Sequence, residues 1–398
     1  MRIAIVGCGA IGGFVAAKLA LAGEAVTVLA RGATLEAVRE RGITLHLNDG
    51  STLVARNLAA TSDYAGAGAQ DLVILAVKAH QLEGVAPKVP QLSSPDTMVV
   101  TMQNGIPYWY FLNHGGALEG SVVRSVDPQG TLAHFIPAER VLGCVVYPAS
   151  ELLSAGVVKH IEGDRFPIGE LDGSTSERAQ RVSQCFTRAG FKCPVLENIR
   201  AEIWLKLWGN LTFNPISALT RATLADICQF PPTRELAATM MAEAQAVAAK
   251  LGIQFRVPLE RRIAGAEKVG HHKTSMLQDV EAGRAPELDA LLGSVVELAR
   301  LTDTPTPHID TVYGLTRLLA RSVRLLIDER VRTREQLLDD FRLSPLDVES
   351  LCGLPRGFMT SAGADLVTLP RLKDRELAGD THPNSAGATL LPFRGPLP

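Results

Sequence analysis

The first hundred residues alternate short apolar runs with helix-forming stretches. Residues 3–6 (Ile-Ala-Ile-Val) are uniformly apolar and end at Gly7; Ala10–Leu21 is small and apolar; Ala25–Leu29 is rich in β-branched residues. Two further runs, 71–77 and 98–102, are again short and apolar. Runs like these offer no polar face to water, so they predict strands of a parallel sheet covered by helices on both sides. Strand-like runs at 141–147 and 156–161 are expected to finish that sheet in antiparallel fashion. From Ile199 the period turns helical and stays so to about residue 327. Stretches 200–220, 233–251 and 288–301 carry apolar residues at helical spacing, punctuated by Pro231-Pro232, Pro286 and Pro305-Thr306-Pro307. The pattern predicts a doubly wound α/β unit over 1–197, a helical unit over 198–325, and an extension over 326–398. In that extension 330–341 still reads as helix, and the Gly-, Pro- and Ser-rich stretch from Ser361 reads as partly disordered.

A chain of 398 residues has room for two or three domains. Its 40 Lys+Arg against 42 Asp+Glu give a net charge of −2, so no basic excess draws it to nucleic acid. The six cysteines (Cys8, Cys144, Cys185, Cys193, Cys228 and Cys352) include no C-x-x-C pair and no zinc-like spacing, which points to reduced thiols and no metal. No signal-peptide pattern precedes the first strand, and charges interrupt every apolar stretch before it could span a bilayer. The expectation is a cytoplasmic protein without membrane or nucleic-acid partners, a monomer or homodimer.

Gly7-Cys8-Gly9-Ala10-Ile11-Gly12 fits G-x-G-x-x-G, follows a buried strand and opens a helix. In that context the pattern marks a dinucleotide site: a tight turn at Gly7, close approach to the pyrophosphate at Gly9, close helix packing at Gly12. Free N–H groups at the helix start favour the diphosphate. A glycine-rich packing turn without ligand is the competing reading. The first unit is thus read as an α/β Rossmann-type N-terminal domain, followed by an all-α C-terminal domain. The second strand ends Leu29-Ala30-Arg31, with no carboxylate for ribose hydroxyls and a guanidinium suited to a 2′-phosphate, so the cofactor read from the residues is NADPH. A solvated surface charge is the alternative for Arg31. Lys78 and Asn104, at the ends of the next two strands, stand where ligands of open α/β sheets bind.

On the 200–220 helix, Lys206, Asn210 and Asn214 recur every fourth residue and share a face otherwise surrounded by apolar side chains. Such groups are either a buried polar network or a substrate face turned to the cofactor. Reduction of a 2-oxo acid needs a hydride donor, a proton donor for the carbonyl oxygen and an anchor for the carboxylate. A lysine in an apolar cleft suits the second role because desolvation lowers its pKa. Ser275 is a candidate donor to the carboxylate. Glu287 is a candidate anchor for Lys206 or partner of the cofactor's ribose. His271-His272 has no acidic or cysteine cluster near it in sequence and reads as surface.

These residues, in this order from the N-terminus to about Leu319, resemble the ketopantoate reductases, NADPH-dependent enzymes of pantothenate synthesis. Besides the glycine motif, the resemblance rests on Val77-Lys78, Gln103-Asn104-Gly105, Lys206…Asn210…Asn214-Pro215, Thr274–Asp279 and Glu287-Leu288-Asp289. It implies Lys206 as catalytic lysine, Asn210 and Asn214 as substrate ligands, Ser275 on the carboxylate, and Asn104 touching both ligands. Two departures bear on the substrate. The 105–140 segment is longer than in typical members and carries Tyr108-Trp109-Tyr110, and a further substrate asparagine of some members falls on Leu224. The rival expectations are therefore reduction of a different branched or aromatic 2-oxo acid, or a non-catalytic NADP(H) sensor.

Overall fold

The computed structural model describes the backbone of residues 1–341 and the side chains of 1–324. The remaining part of the expected 326–398 extension lies outside the described residues. Strands are β1 Arg2–Val6, β2 Ala25–Leu29, β3 Ile43–His46, β4 Thr52–Ala55, β5 Leu58–Thr61, β6 Leu72–Leu75, β7 Met98–Thr101, β8 Val141–Cys144, β9 Ala149–Ser154, β10 Val157–Glu162 and β11 Ile168–Gly169. The α-helices of six residues or more are α1 Ala10–Leu21, α2 Gly32–Arg41, α3 Glu177–Arg188, α4 Ile199–Thr220, α5 Leu224–Gln229, α6 Pro231–Lys250, α7 Leu259–Lys268, α8 Ser275–Glu281, α9 Ser294–Leu301 and α10 Pro307–Phe341. α10 runs across the boundary expected at 325/326.

The main sheet has the order β11-β8-β7-β6-β1-β2-β5. Six strands are parallel, and only β11 is antiparallel, against β8. The antiparallel completion expected of residues 141–147 and 156–161 is thus corrected: β8 lies parallel to β7, and β10 belongs to a second sheet, β4-β3-β10-β9. That sheet covers the outer face of α1 at close range; a Cβ at Gly13 would stand 2.8 Å from Val158 Cγ2.

The strand alternation explains two cores. Ala4, Val6, Val73, Leu75 and Val99 face one side and join the helical part; Ile3, Ile5, Val26, Val28 and Ile74 face the other, toward α1, α3 and the second sheet. The 105–140 segment belongs to the first core. Trp109, Tyr110 and Phe111 are fully buried there. Tyr108 Oη donates to Ile136 O, Trp109 Nε1 to Thr101 Oγ1, and Trp204 Nε1 of α4 to Tyr110 Oη. Arg200 gives its guanidinium to the carbonyls of Tyr110, Leu112 and Leu171. These aromatics therefore bolt α4 to the sheet and do not line a substrate pocket, which removes one of the two motives for an aromatic 2-oxo acid.

Candidate active site

Strand order reverses around β1: the chain first builds outward through β2, then returns to place β6 on the other side. The crevice outside such a switch point is the usual ligand position. Gly7 closes it tightly. It takes φ +97, and a Cβ there would stand 2.7 Å from Val77 Cγ1. A Cβ at Gly12 would overlap the Gly7 carbonyl oxygen, so the turn and α1 can meet only without one. At Gly9, by contrast, a Cβ would meet nothing within 4 Å. α1 starts at Ala10 after Gly9, with no side chain capping it and no acid in its first turn. Cys8 is buried, and Ala10 and Ile11 are partly buried around this open side. A space bounded by free N–H groups fits a diphosphate. Arg31, at the end of β2, is exposed and begins α2 as its N-cap. Tyr64 lies near enough to feel its charge.

The loop after β7 carries Gln103-Asn104-Gly105. Gln103 Nε2 donates to Leu75 O and Val77 O, both at 2.8 Å, which ties the ends of β6 and β7. Its Oε1 is buried without a partner, and Gln103 is one of the residues lining the pocket beside Lys206. An acceptor left open there suits the amide N–H of a nicotinamide, since buried polar groups otherwise go paired. Gly105 takes φ +90 and lets the loop touch the backbone of Ala290, where Ile106 N donates to Ala290 O at 2.9 Å. That contact holds Asn104 against the helical part.

α4 brings up the chemistry. It is capped by the Asn198 side chain and continuous through Pro215. Lys206 Nζ donates to Asn104 Oδ1 at 2.6 Å and to Val146 O. Burial pulls its pKa down to about 8, against the opposing charge of Glu287. Asn104, Lys206 and Asn210 line one pocket with Gln103, Cys144 and Val146. Asn214 is buried one turn further along α4, and Ser275 is exposed at the first position of α8; neither lines this pocket.

Two of the expected site residues have partners of their own within the protein. Glu287 makes no hydrogen bond to Lys206; Oε1 accepts from the backbone N–H of Ala79 at 2.9 Å and acts on Lys206 through its charge alone. Lys78 is bonded to Asp279 Oδ2 at 2.8 Å, and Arg284 Nε holds the other oxygen at 2.8 Å. Sequence reasoning assigned no role to Asp279, the Val146 carbonyl or the Tyr147–Glu202–Arg165 group. Tyr147 Oη donates to Glu202 Oε1 at 2.8 Å, and Arg165 pairs with the same carboxylate, one turn before Lys206 on α4. This fixes the segment that presents Val146 O. The only signal in the sequence is the i, i+4 spacing of Glu202 and Lys206.

Two family descriptions match the chain, "Ketopantoate reductase PanE/ApbA" over residues 3–173 and its C-terminal counterpart over 198–320. A 2-dehydropantoate 2-reductase from Mesorhizobium japonicum is 51% identical over 321 residues, 80% of this chain and 98% of that protein. The chain belongs to the ketopantoate reductase family. It is accordingly an oxidoreductase with a nicotinamide cofactor. A solved structure from Ralstonia solanacearum is 44% identical with a TM-score of 0.77, covering 81% of this chain and 98% of that one. The 2-dehydropantoate 2-reductase of Methylococcus capsulatus is 28% identical with a TM-score of 0.69 over 81% and 98% of the two chains. The family fold of a Rossmann-type domain followed by helices is the fold described above. Among the described residues no helix is long and apolar enough to cross a membrane.

Proposed function

We propose that this chain reduces 2-dehydropantoate to pantoate with NADPH, in the cytoplasm, as a monomer or homodimer. Residues 1–197 bind the cofactor, and 198–325 supply the substrate face. Bound NADPH would supply the hydride; Gly7, Gly9, Gly12 and the start of α1 would hold its diphosphate, with Arg31 at the 2′-phosphate. The observation that carries the reading is the state of Lys206. An ammonium has three N–H bonds, and two of them are spent on Asn104 and Val146. The third is left for the carbonyl oxygen of a 2-oxo acid. With a pKa of about 8, Lys206 is protonated at neutral pH and gives the proton up readily as the oxygen gains charge. Asn210 lines the same pocket and would read a hydroxyl; Asn214 and Ser275, outside that pocket, are the further substrate ligands of this reading.

The other candidate acids nearby are poorer. Burial and the Glu202 carboxylate push the Tyr147 phenol well above its usual range, and burial does the same to the Cys144 thiol. A sensor without turnover has no use for a lysine held in this way.

The pH dependence tests the assignment. Reduction needs protonated Lys206, so kcat/KM for the 2-oxo acid is expected to be flat below about pH 8 and to fall toward tenfold per unit above it. Oxidation of the hydroxy acid needs the free amine and should rise over the same interval. Profiles of both directions without a break near pH 8 would remove Lys206 from the proton transfer.

Cofactor choice is tested at Arg31. Arg31→Ala is expected to raise the KM for NADPH about tenfold or more, the scale of a lost charge-assisted hydrogen bond, and to leave the KM for NADH within about twofold. Equal losses with both nucleotides would place Arg31 away from the 2′-position.

A further inference from the structure

One of the two acceptors of Lys206 is a backbone carbonyl, Val146 O. Such a group is present whatever residue stands there, so its use depends on what holds its segment. Two sets of contacts do so. Val145 N donates to Pro167 O at 2.9 Å and Tyr147 N to Arg165 O at 3.2 Å, which continues the antiparallel pairing of β8 with β11. Alternate residues bond to that side, so the Val146 carbonyl between them faces the other side, where Lys206 takes it. The second set is made of side chains. Tyr147 Oη donates to Glu202 Oε1 at 2.8 Å, and Arg165 pairs with the same oxygen. The Arg165 guanidinium also lies 5.2 Å from the centroid of the Tyr147 ring. The Glu202 side chain is only 14% exposed, so salt screens this pairing little. Glu202 and Lys206 stand one turn apart on α4, which ties the strand end to the helix that carries the lysine. Tyr147, Arg165 and Glu202 do not line the pocket themselves; their neighbours Val146 and Ile203 do.

We propose that Tyr147, Glu202 and Arg165 are positioning residues for the proton transfer: they clamp the 145–147 segment to α4 and keep the Val146 carbonyl on Lys206. This rests on the reductase reading above. With two N–H bonds fixed, the ammonium cannot turn, and its third N–H keeps one direction. A carbonyl oxygen held against an ammonium also favours its charged form. The charges that act on Lys206 come from Glu287 and Cys144, and burial outweighs them. The charges around Tyr147 are those of Glu202, Arg165 and Arg262. Removing the Tyr147 hydroxyl changes no charge near neutral pH, so its effect reaches Lys206 through the Val146 carbonyl. With that acceptor displaced, burial is less opposed, and the lysine loses its proton at a lower pH.

The test is the pH profile of kcat/KM for 2-dehydropantoate at saturating NADPH, in wild type, Tyr147→Phe, Glu202→Ala and Glu202→Gln. In Tyr147→Phe the alkaline break, near pH 8 in wild type, should lie at least about half a pH unit lower, the scale of one hydrogen bond. On the flat part of the profile kcat should fall about threefold to tenfold, while NADPH affinity stays within about twofold. Glu202→Ala loses the bonds to both Tyr147 and Arg165 and should move the break at least as far. Glu202→Gln still accepts from Tyr147 and should recover part of the displacement. If Tyr147→Phe does not fold, the difference between the two Glu202 variants reads the same effect. A break that stays in place overturns the proposal whatever happens to kcat, because a merely structural role slows the enzyme without moving it. A wild type without a break near pH 8 overturns the Lys206 reading, and the purpose of the clamp with it.

Discussion

Lys206→Ala is expected to lower kcat by about a hundredfold or more while NADPH binding stays nearly unchanged, the usual scale for losing a general acid. The separation of the two effects follows from the geometry. Lys206 bonds Asn104 and the Val146 carbonyl, and all three residues line one pocket. It has no bond to the Gly7–Gly12 turn or to Arg31. Its loss removes the group with a pKa near the working pH and leaves Tyr147 and Cys144, both pushed upward and both poor donors. Single-turnover kinetics with bound NADPH check this directly, and a rate within a few-fold of wild type would mean that another group protonates the carbonyl.

Alanine at Gly9 and at Gly12 should fail in different ways. At Gly12 the new Cβ overlaps the Gly7 carbonyl oxygen and stands 3.0 Å from Ala76 Cβ, so backbone must shift. Overpacking of this kind costs about 1–3 kcal/mol or more, visible as a lower thermal midpoint even without cofactor. At Gly9 the Cβ meets no protein atom, and φ −79 with ψ −159 suits any residue. Stability there should hold within about 1 kcal/mol, the scale of an N-cap exchange. NADPH affinity should nevertheless fall about tenfold or more, because the open side is where the diphosphate would lie against the helix N-terminus. Thermal melts and NADPH titrations of both variants separate the two. Unchanged affinity in Gly9→Ala would show that the open side holds no phosphate.

The parts of the molecule that could be read from the sequence are those in which one local pattern has one physical outcome. β1, β2, β6 and β7 are largely buried, so their runs are mostly apolar and end close to where the pattern ends. The glycine motif and the four-residue spacing on α4 are equally local. The second sheet escaped notice because β3 and β4 are four residues each with half-exposed positions, too short to show a period. The Tyr108-Trp109-Tyr110 run looked like a substrate surface because nothing local distinguishes an aromatic that packs a core from one that faces a ligand. The remaining site groups depend on distant pairing. Lys78 meets Asp279 across 201 positions, and the Val146 carbonyl carries no side-chain signal at all. Lys206 was found for its position on α4, but its partners became visible only with the fold.

The central claim is tested most directly by NADPH consumption over a panel of 2-oxo acids that includes 2-dehydropantoate, pyruvate, a branched-chain 2-oxo acid and phenylpyruvate. The account predicts that kcat/KM for 2-dehydropantoate exceeds every other by at least about tenfold, the least that one well-used polar contact confers, and that pantoate accumulates in step with NADP+. A higher kcat/KM for phenylpyruvate or the branched-chain acid, or no consumption with any of the four, would contradict it.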